Sequence, residues 1–128
     1  MENLNLWAVL VAALSCFVLG GLWYSPALFG KAWTRAAKQV PGGHPARVFG
    51  LSFLFAVIAA VGFGLWVGHP TLKDVVLQGL LAGGCFVAAS FGMNYQFANR
   101  GPILWAIDGG YHTVQFLLFG LVFGLWPA

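Results

Sequence analysis

Residues 6–24 are LWAVLVAALSCFVLGGLWY, a stretch without a charged side chain. A helix of about 20 apolar residues is long enough to cross the hydrocarbon core of a bilayer. Aromatic side chains stand at both ends of the stretch, with Trp7 at one end and Trp23 and Tyr24 at the other. Because Trp and Tyr rings favour the level of the lipid headgroups, this segment is predicted to be a membrane-spanning helix.

Three further apolar segments follow the first one. We expect membrane spans at about residues 6–24, 47–67, 75–98 and 102–126. Four spans use about 80 residues, so the 128-residue chain has room left for short links only. The predicted fold class is an all-α membrane protein. It is expected to form one transmembrane domain over residues 1–128, a four-transmembrane-helix bundle with a short interfacial amphipathic helix after the first span.

The composition also favours a membrane protein over a soluble one. Charged residues make up only 7% of the chain, whereas 60% of the residues are hydrophobic and the mean hydropathy is +0.85. A soluble domain carries about 25% charged residues, and a much lower fraction cannot cover the surface of a water-soluble globule. The high hydropathy also excludes a disordered chain.

The distribution of Lys and Arg predicts the orientation of the chain in the membrane. Five of the six basic residues fall in the first and third links: Lys31, Arg35, Lys38, Arg47 and Arg100. Cytoplasmic loops carry an excess of Lys and Arg, so these two links are predicted to face the cytoplasm and both termini to lie outside it. The net charge of +3 is therefore interpreted as a topology signal, and no nucleic-acid partner is expected.

The first link is predicted to hold the amphipathic helix at the inner membrane interface. Its apolar positions, among them Trp33, alternate with Lys31, Arg35 and Lys38. Such spacing directs the cations towards lipid headgroups. These four residues are therefore expected to anchor the link to membrane lipids. A more specific site for an anionic lipid or a protein partner is an open alternative.

Glycines at helical spacing predict close contacts between helices. Gly79 and Gly83 are four residues apart in the third span, and Gly120 and Gly124 repeat that spacing in the fourth. Small residues let helix backbones approach closely in lipid, so these glycines are expected to pack the bundle. In the alternative, Gly120 and Gly124 form a self-association face. A homo-oligomer is expected because one small bundle encloses little volume.

The fourth span carries the most informative polar residues. Asp108 is the only carboxylate inside a predicted span, and His112 and Gln115 follow at intervals of about one helical turn. Residues at this spacing share one helix face, and ionisable groups in a bilayer are costly enough to suggest a function. The predicted polar intramembrane cluster, near the cytoplasmic side, consists of Tyr24, Ser25, Ser90, Asn94, Asp108, His112 and Gln115.

This cluster is compatible with three classes of function. A carboxylate and an imidazole can pass a proton, which would suit a small channel or a proton-linked transporter of small solutes. A buried hydrogen-bond network would suit a non-catalytic membrane subunit or scaffold that binds lipid or partner helices. A membrane enzyme is the third class, with no catalytic residue assigned. The chain lacks metal-ligand spacing, a phosphate loop and a nucleophile elbow, so neither a metal nor another cofactor is expected.

Two blocks of sequence resemble a known family. Residues 22–33 are LWYSPALFGKAW, and residues 107–112 are IDGGYH. Both blocks are similar to the small bacterial integral membrane proteins of the domain of unknown function 1761 family. The resemblance implies four helices and a bacterial cell inner membrane, and it implies no activity. It also places emphasis on Trp23, Tyr24, Ser25, Pro26 and Lys31, at the cytoplasmic rim of the predicted cluster.

Overall fold

A computed structural model describes residues 4–38, 43–68 and 71–127. Within these ranges the chain is helical, and its five helices are α1 (Leu6–Trp23), α2 (Gly30–Ala37), α3 (Pro45–Val67), α4 (Leu72–Phe97) and α5 (Pro102–Leu125). Among the described helices, α1, α3 and α4 are long and apolar enough to cross a membrane. Helix α5 has 24 residues and carries the polar stripe, and its crossing of a membrane stays a prediction.

Local sequence signals set the ends of several helices. The Asn5 side chain accepts hydrogen bonds from the backbone N–H groups of Trp7 at 2.9 Å and Ala8 at 3.1 Å, where α1 begins. The Thr71 hydroxyl accepts from the N–H of Asp74 at 3.3 Å, where α4 begins. Helices α3 and α5 each begin with proline, a position at which the missing N–H is not needed.

Helix α5 lies at the centre of the fold and packs against α1, α2 and α4, whereas α3 packs mainly against α1. The core between α1, α3 and α5 contains small residues and the buried rings of Phe63 and Phe119, with Ala12, Ala60 and Phe119 fully buried. Helices α3 and α4 make few contacts with each other. The bundle is therefore less tightly closed between α3 and α4 than elsewhere.

The four glycines singled out from the sequence all lie in the contact between α4 and α5. A Cβ atom on Gly83 would lie 2.6 Å from a backbone oxygen of α5, and one on Gly120 would lie 2.7 Å from the carbonyl oxygen of Val75. A Cβ on Gly79 would collide with α5, and one on Gly124 would lie 2.5 Å from the Val75 side chain. These glycines therefore pack two helices of the same chain, and Gly120 and Gly124 do not form an open face.

Helix α4 changes its helical pitch in the middle, where Leu81–Ala88 is π-helical. Such a segment holds more residues per turn than an α-helix, so the side chains beyond it are rotated about the helix axis. Tyr95 is consequently buried, and Ser90 and Asn94 are exposed. Ser90 and Asn94 therefore do not face the bundle interior, contrary to the expectation, which assumed a regular α-helix.

Candidate functional site

The turn after α1 brings the start of α2 close to the end of α1. The backbone N–H of Gly30 donates to the carbonyl oxygen of Ser25 at 2.9 Å. A Cβ atom on Gly30 would collide with the carbonyl oxygen of Tyr24, so only glycine fits at this position. The tight turn directs α2 back towards α5 and places the ring of Trp33 edge-on to that of Tyr24, with centroids 5.9 Å apart.

Asp108 is the point at which these elements meet. Its carboxylate accepts a hydrogen bond from the Tyr24 hydroxyl at 2.7 Å, one from Trp33 Nε1 at 3.0 Å and one from the Tyr95 hydroxyl. The residue is 8% exposed. A carboxylate offers about four acceptor positions, so three donors satisfy most of its capacity. We call Asp108, Tyr24, Trp33 and Tyr95 the aspartate clamp, which ties the end of α1, α2 and α4 to α5.

Two further indole groups hold the helices around the aspartate clamp. Trp23 Nε1 donates to the carbonyl oxygen of Ile107 at 2.9 Å, and Trp105 Nε1 donates to that of Ala88 at 2.8 Å. Ala88 is the last residue of the π-helical segment, where the regular ladder of helical hydrogen bonds is interrupted. The Trp105 indole therefore provides a partner for a backbone oxygen at this interruption.

A cleft of about 830 Å³ lies beside the aspartate clamp, between α1, α3, α4 and α5. Most of its lining is aliphatic or aromatic, and in the part of the chain that the structure describes none of the lining residues is Asp, Glu, Lys or Arg. Hydroxyl, imidazole and amide groups come from five lining residues: Tyr24, Ser52, Tyr111, His112 and Gln115. Asp108 does not line the cleft, whereas Tyr24 belongs to both the cleft and the aspartate clamp.

His112 and Gln115 form a polar pair on the α5 wall of the cleft. His112 Nδ1 lies 2.6 Å from Gln115 Oε1, so His112 bonds to Gln115 rather than to Asp108. The imidazole ring packs edge-on against Phe91 and Tyr111, with centroid distances of 4.9 and 5.0 Å. Its Nε2 atom has no hydrogen-bond partner within residues 4–38, 43–68 and 71–127. The pair therefore has hydrogen-bonding capacity left for a bound molecule.

The structure divides the predicted polar cluster into separate groups. Tyr24 and Asp108 belong to the aspartate clamp, and His112 and Gln115 line the cleft. The other predicted members lie outside both groups: Ser25, Ser90 and Asn94. The Ser25 hydroxyl donates to a backbone oxygen of α1 at 2.7 Å, which is a local contact at the end of that helix.

The predicted lipid anchors at α2 and its C-terminal end divide into exposed side chains and one that faces inward. Lys31, Arg35 and Lys38 are exposed, as expected for groups that face solvent or headgroups, but Trp33 turns inward to Asp108. Trp33 and Tyr95 are the donors to Asp108 that the sequence did not reveal. Buried Tyr and Trp side chains usually need a partner for their O–H or N–H group. Applied to the Asp108 carboxylate, this rule would have indicated Trp33 and Tyr95 as candidate donors.

The two sequence blocks noted above meet in space. Trp23, Tyr24 and Trp33 of the first block donate hydrogen bonds to Ile107 and Asp108 of the second. A family model described as "Protein of unknown function (DUF1761)" matches residues 7–124. The chain belongs to the DUF1761 family. No curated protein and no solved structure gives a significant match. Membership in DUF1761 assigns no activity, so a functional proposal has to rest on the aspartate clamp and the cleft.

Proposed function

We propose that this DUF1761 protein is a four-span protein of a bacterial inner membrane that transports a small solute by way of the cleft. The observation that carries the proposal is the cleft of about 830 Å³ whose α5 wall holds His112 and Gln115. Small-molecule sites in proteins have volumes of about 300–1,000 Å³, with apolar walls and a few polar groups. The volume and lining of this cleft match that pattern.

In the proposed arrangement, α5 is the fourth span and its polar stripe is shielded by neighbouring helices. Asp108 and Gln115 are 8% and 5% exposed, so neither would contact lipid to a large extent. Both termini lie outside the cytoplasm. Helix α2 lies at the cytoplasmic interface, where the exposed Lys31, Arg35 and Lys38 contact anionic membrane lipids.

The polar residues take different roles in this proposal. Asp108 already accepts hydrogen bonds from residues of three other segments, so we assign it the positioning of α1, α2 and α4. His112 and Gln115 line the cleft and contact the solute. In a proton-linked mechanism His112 carries the exchanged proton, because an imidazole can both accept and donate a proton and this one lies on the wall of the cleft.

Transport is tested with purified protein in proteoliposomes loaded with a panel of small solutes, with and without a pH gradient. The wild type should pass at least one solute faster than empty liposomes. His112→Ala and Gln115→Leu should reduce that rate about tenfold, the effect of losing one hydrogen bond worth about 1.4 kcal/mol. Ser90→Ala, an exposed change outside the cleft, should not reduce it. A whole panel at the rate of empty liposomes would refute transport.

A second candidate function is a non-catalytic membrane subunit or scaffold. The exposed basic side of α2 favours it, because Trp33 fixes the orientation of that helix through Asp108. In this case Lys31→Glu together with Arg35→Glu should weaken association with anionic vesicles, and the wild type should show no flux. Self-association is part of both proposals. The mass of the protein in nanodiscs tests it, and an interface would use faces other than Gly120 and Gly124.

A further inference from the structure

Building on the proposed function, we propose that the molecule bound in the cleft is an uncharged amphiphile that enters sideways between α3 and α4. Such a molecule has an apolar ring or chain and a polar head with a hydroxyl or carbonyl oxygen. Three features of the structure carry this inference: the weak packing between α3 and α4, the lack of charged side chains among the described lining residues and the location of the free polar atoms.

We place the entrance on the side of the bundle, where α3 and α4 both line the cleft and make few contacts with each other. Phe49 and Phe55 of α3 line the cleft and are 65% and 66% exposed, so the approach to the cleft is apolar. On the α4 side the lining residues are Val87 and Phe91. In a bilayer this opening faces acyl chains, which favours entry of a molecule already dissolved in the membrane.

The lining favours a neutral head over a charged one. With no Asp, Glu, Lys or Arg lining the cleft among residues 4–38, 43–68 and 71–127, an ionic head would be placed there without a countercharge. The free-energy cost of such an unpaired charge in an apolar environment is large. A hydroxyl or carbonyl head needs only a hydrogen-bond partner, which the cleft provides.

Within the described residues, free polar atoms of the lining lie on α5, at the His112 and Gln115 pair, and on α3, at the Ser52 hydroxyl. The two tyrosine hydroxyls of the lining are already committed, Tyr24 to Asp108 at 2.7 Å and Tyr111 to the Cys16 carbonyl oxygen at 2.8 Å. His112 uses Nδ1 for Gln115 and keeps Nε2 free within the described residues. We place the head at the pair His112 and Gln115, because two polar side chains are adjacent there whereas Ser52 is a lone hydroxyl, and the apolar body extends towards the open side.

Binding is measured with wild-type protein in detergent micelles by microscale thermophoresis, with three probes. Dioctanoylglycerol represents neutral glycerolipids, decylubiquinone represents isoprenoid-like quinones, and dioctanoyl phosphatidate adds a phosphate to the first probe. We expect at least one neutral probe to bind ten times more tightly than phosphatidate. Which neutral probe binds better identifies the source of the ligand. Equal or tighter binding of phosphatidate, or no binding of either neutral probe, overturns the proposal.

Two pairs of variants locate the binding site. His112→Phe and Gln115→Leu should each weaken binding of the neutral probe about tenfold, because each removes one hydrogen-bonding group. Ser52→Trp places a large ring in the cleft lining and should abolish binding, whereas Ser90→Trp, also at an exposed serine but outside the cleft, should not. Unchanged binding in Ser52→Trp refutes the site. If the neutral probe binds but proteoliposomes show no flux, the transport proposal is refuted and the present inference stands. If polar solutes are transported but no amphiphile binds, the present inference is refuted and transport stands.

Discussion

Removal of the hydroxyl of Tyr24 should lower the free energy of unfolding more than removal of the hydroxyl of Tyr111. The two rings are neighbours, with centroids 5.5 Å apart. Tyr24 donates to the carboxylate of Asp108 at 2.7 Å, and Tyr111 donates to the carbonyl oxygen of Cys16 at 2.8 Å. Tyr24→Phe and Tyr111→Phe therefore delete the same atom from bonds of nearly equal length, and the acceptor is the main difference.

The expected magnitudes follow from the two acceptors. A hydrogen bond to a charged group contributes about 1.5–3 kcal/mol, so Tyr24→Phe should lower the free energy of unfolding by that amount. Hydrogen bonds between helices in a membrane average about 0.6 kcal/mol, which is the loss expected for Tyr111→Phe. Equilibrium unfolding with sodium dodecyl sulfate in mixed micelles, followed by circular dichroism, measures both values.

A double-mutant cycle with Asp108→Ala isolates the pairing of Tyr24 with the carboxylate. In the Asp108→Ala background, the additional loss from Tyr24→Phe should fall to a few tenths of a kcal/mol, because the acceptor is gone. An equal loss for Tyr24→Phe and Tyr111→Phe in the wild-type background would refute the reasoning. So would a loss from Tyr24→Phe that does not depend on Asp108.

Three further outcomes are expected. Gly83→Ala should lower the free energy of unfolding by about 1–3 kcal/mol, because the added Cβ would lie 2.6 Å from a backbone oxygen of α5. Gly84→Ala is the control and should be near neutral, because its Cβ would meet ordinary contacts at 3.9 Å. Chemical denaturation compares the two variants. Trp33→Phe removes a donor to Asp108, so the amide protons of α2 should exchange faster in hydrogen–deuterium exchange. An unchanged exchange rate would contradict the contact between Trp33 and Asp108. The proposed topology is tested by labelling with a membrane-impermeant maleimide. The reagent should label Lys38→Cys only in inverted vesicles and Lys73→Cys only in right-side-out vesicles. Labelling of both variants from one side would contradict the proposed topology.

The positions of the helices were predictable because they depend on local sequence. Long, mainly apolar stretches predicted the four long helices, and their observed bounds differ from the predicted spans by only a few residues. The alternation of apolar residues with Lys31 and Arg35 predicted a helix in the first link, where α2 is found. Capping groups such as Asn5 and the prolines at the starts of α3 and α5 are also local signals.

The direction of the α4 side chains was not predictable in the same way. An α-helical period places Ser90 and Asn94 on one face, but the π-helical segment Leu81–Ala88 rotates that face outward and turns Tyr95 inward. A change of pitch depends on contacts between helices, and the π-helical segment contains Gly83, which lies close against α5. Apolar periodicity contains no information about such contacts, so the sequence predicted polar residues on α5 but not the donor to Asp108 on α4, Tyr95.

The division between the aspartate clamp and the cleft changes how the polar residues are tested. A carboxylate within a membrane suggests an ion or proton pathway by default, but that inference weakens when the surrounding donors satisfy the carboxylate. Asp108 is satisfied by three such donors, whereas Nε2 of His112, on the wall of the cleft, has no partner among the residues that the structure describes. Variants of Asp108 should therefore report on folding, and variants of His112 and Gln115 should report on ligand binding. A variant of Asp108 that folds with wild-type stability and yet loses ligand binding would reverse this assignment.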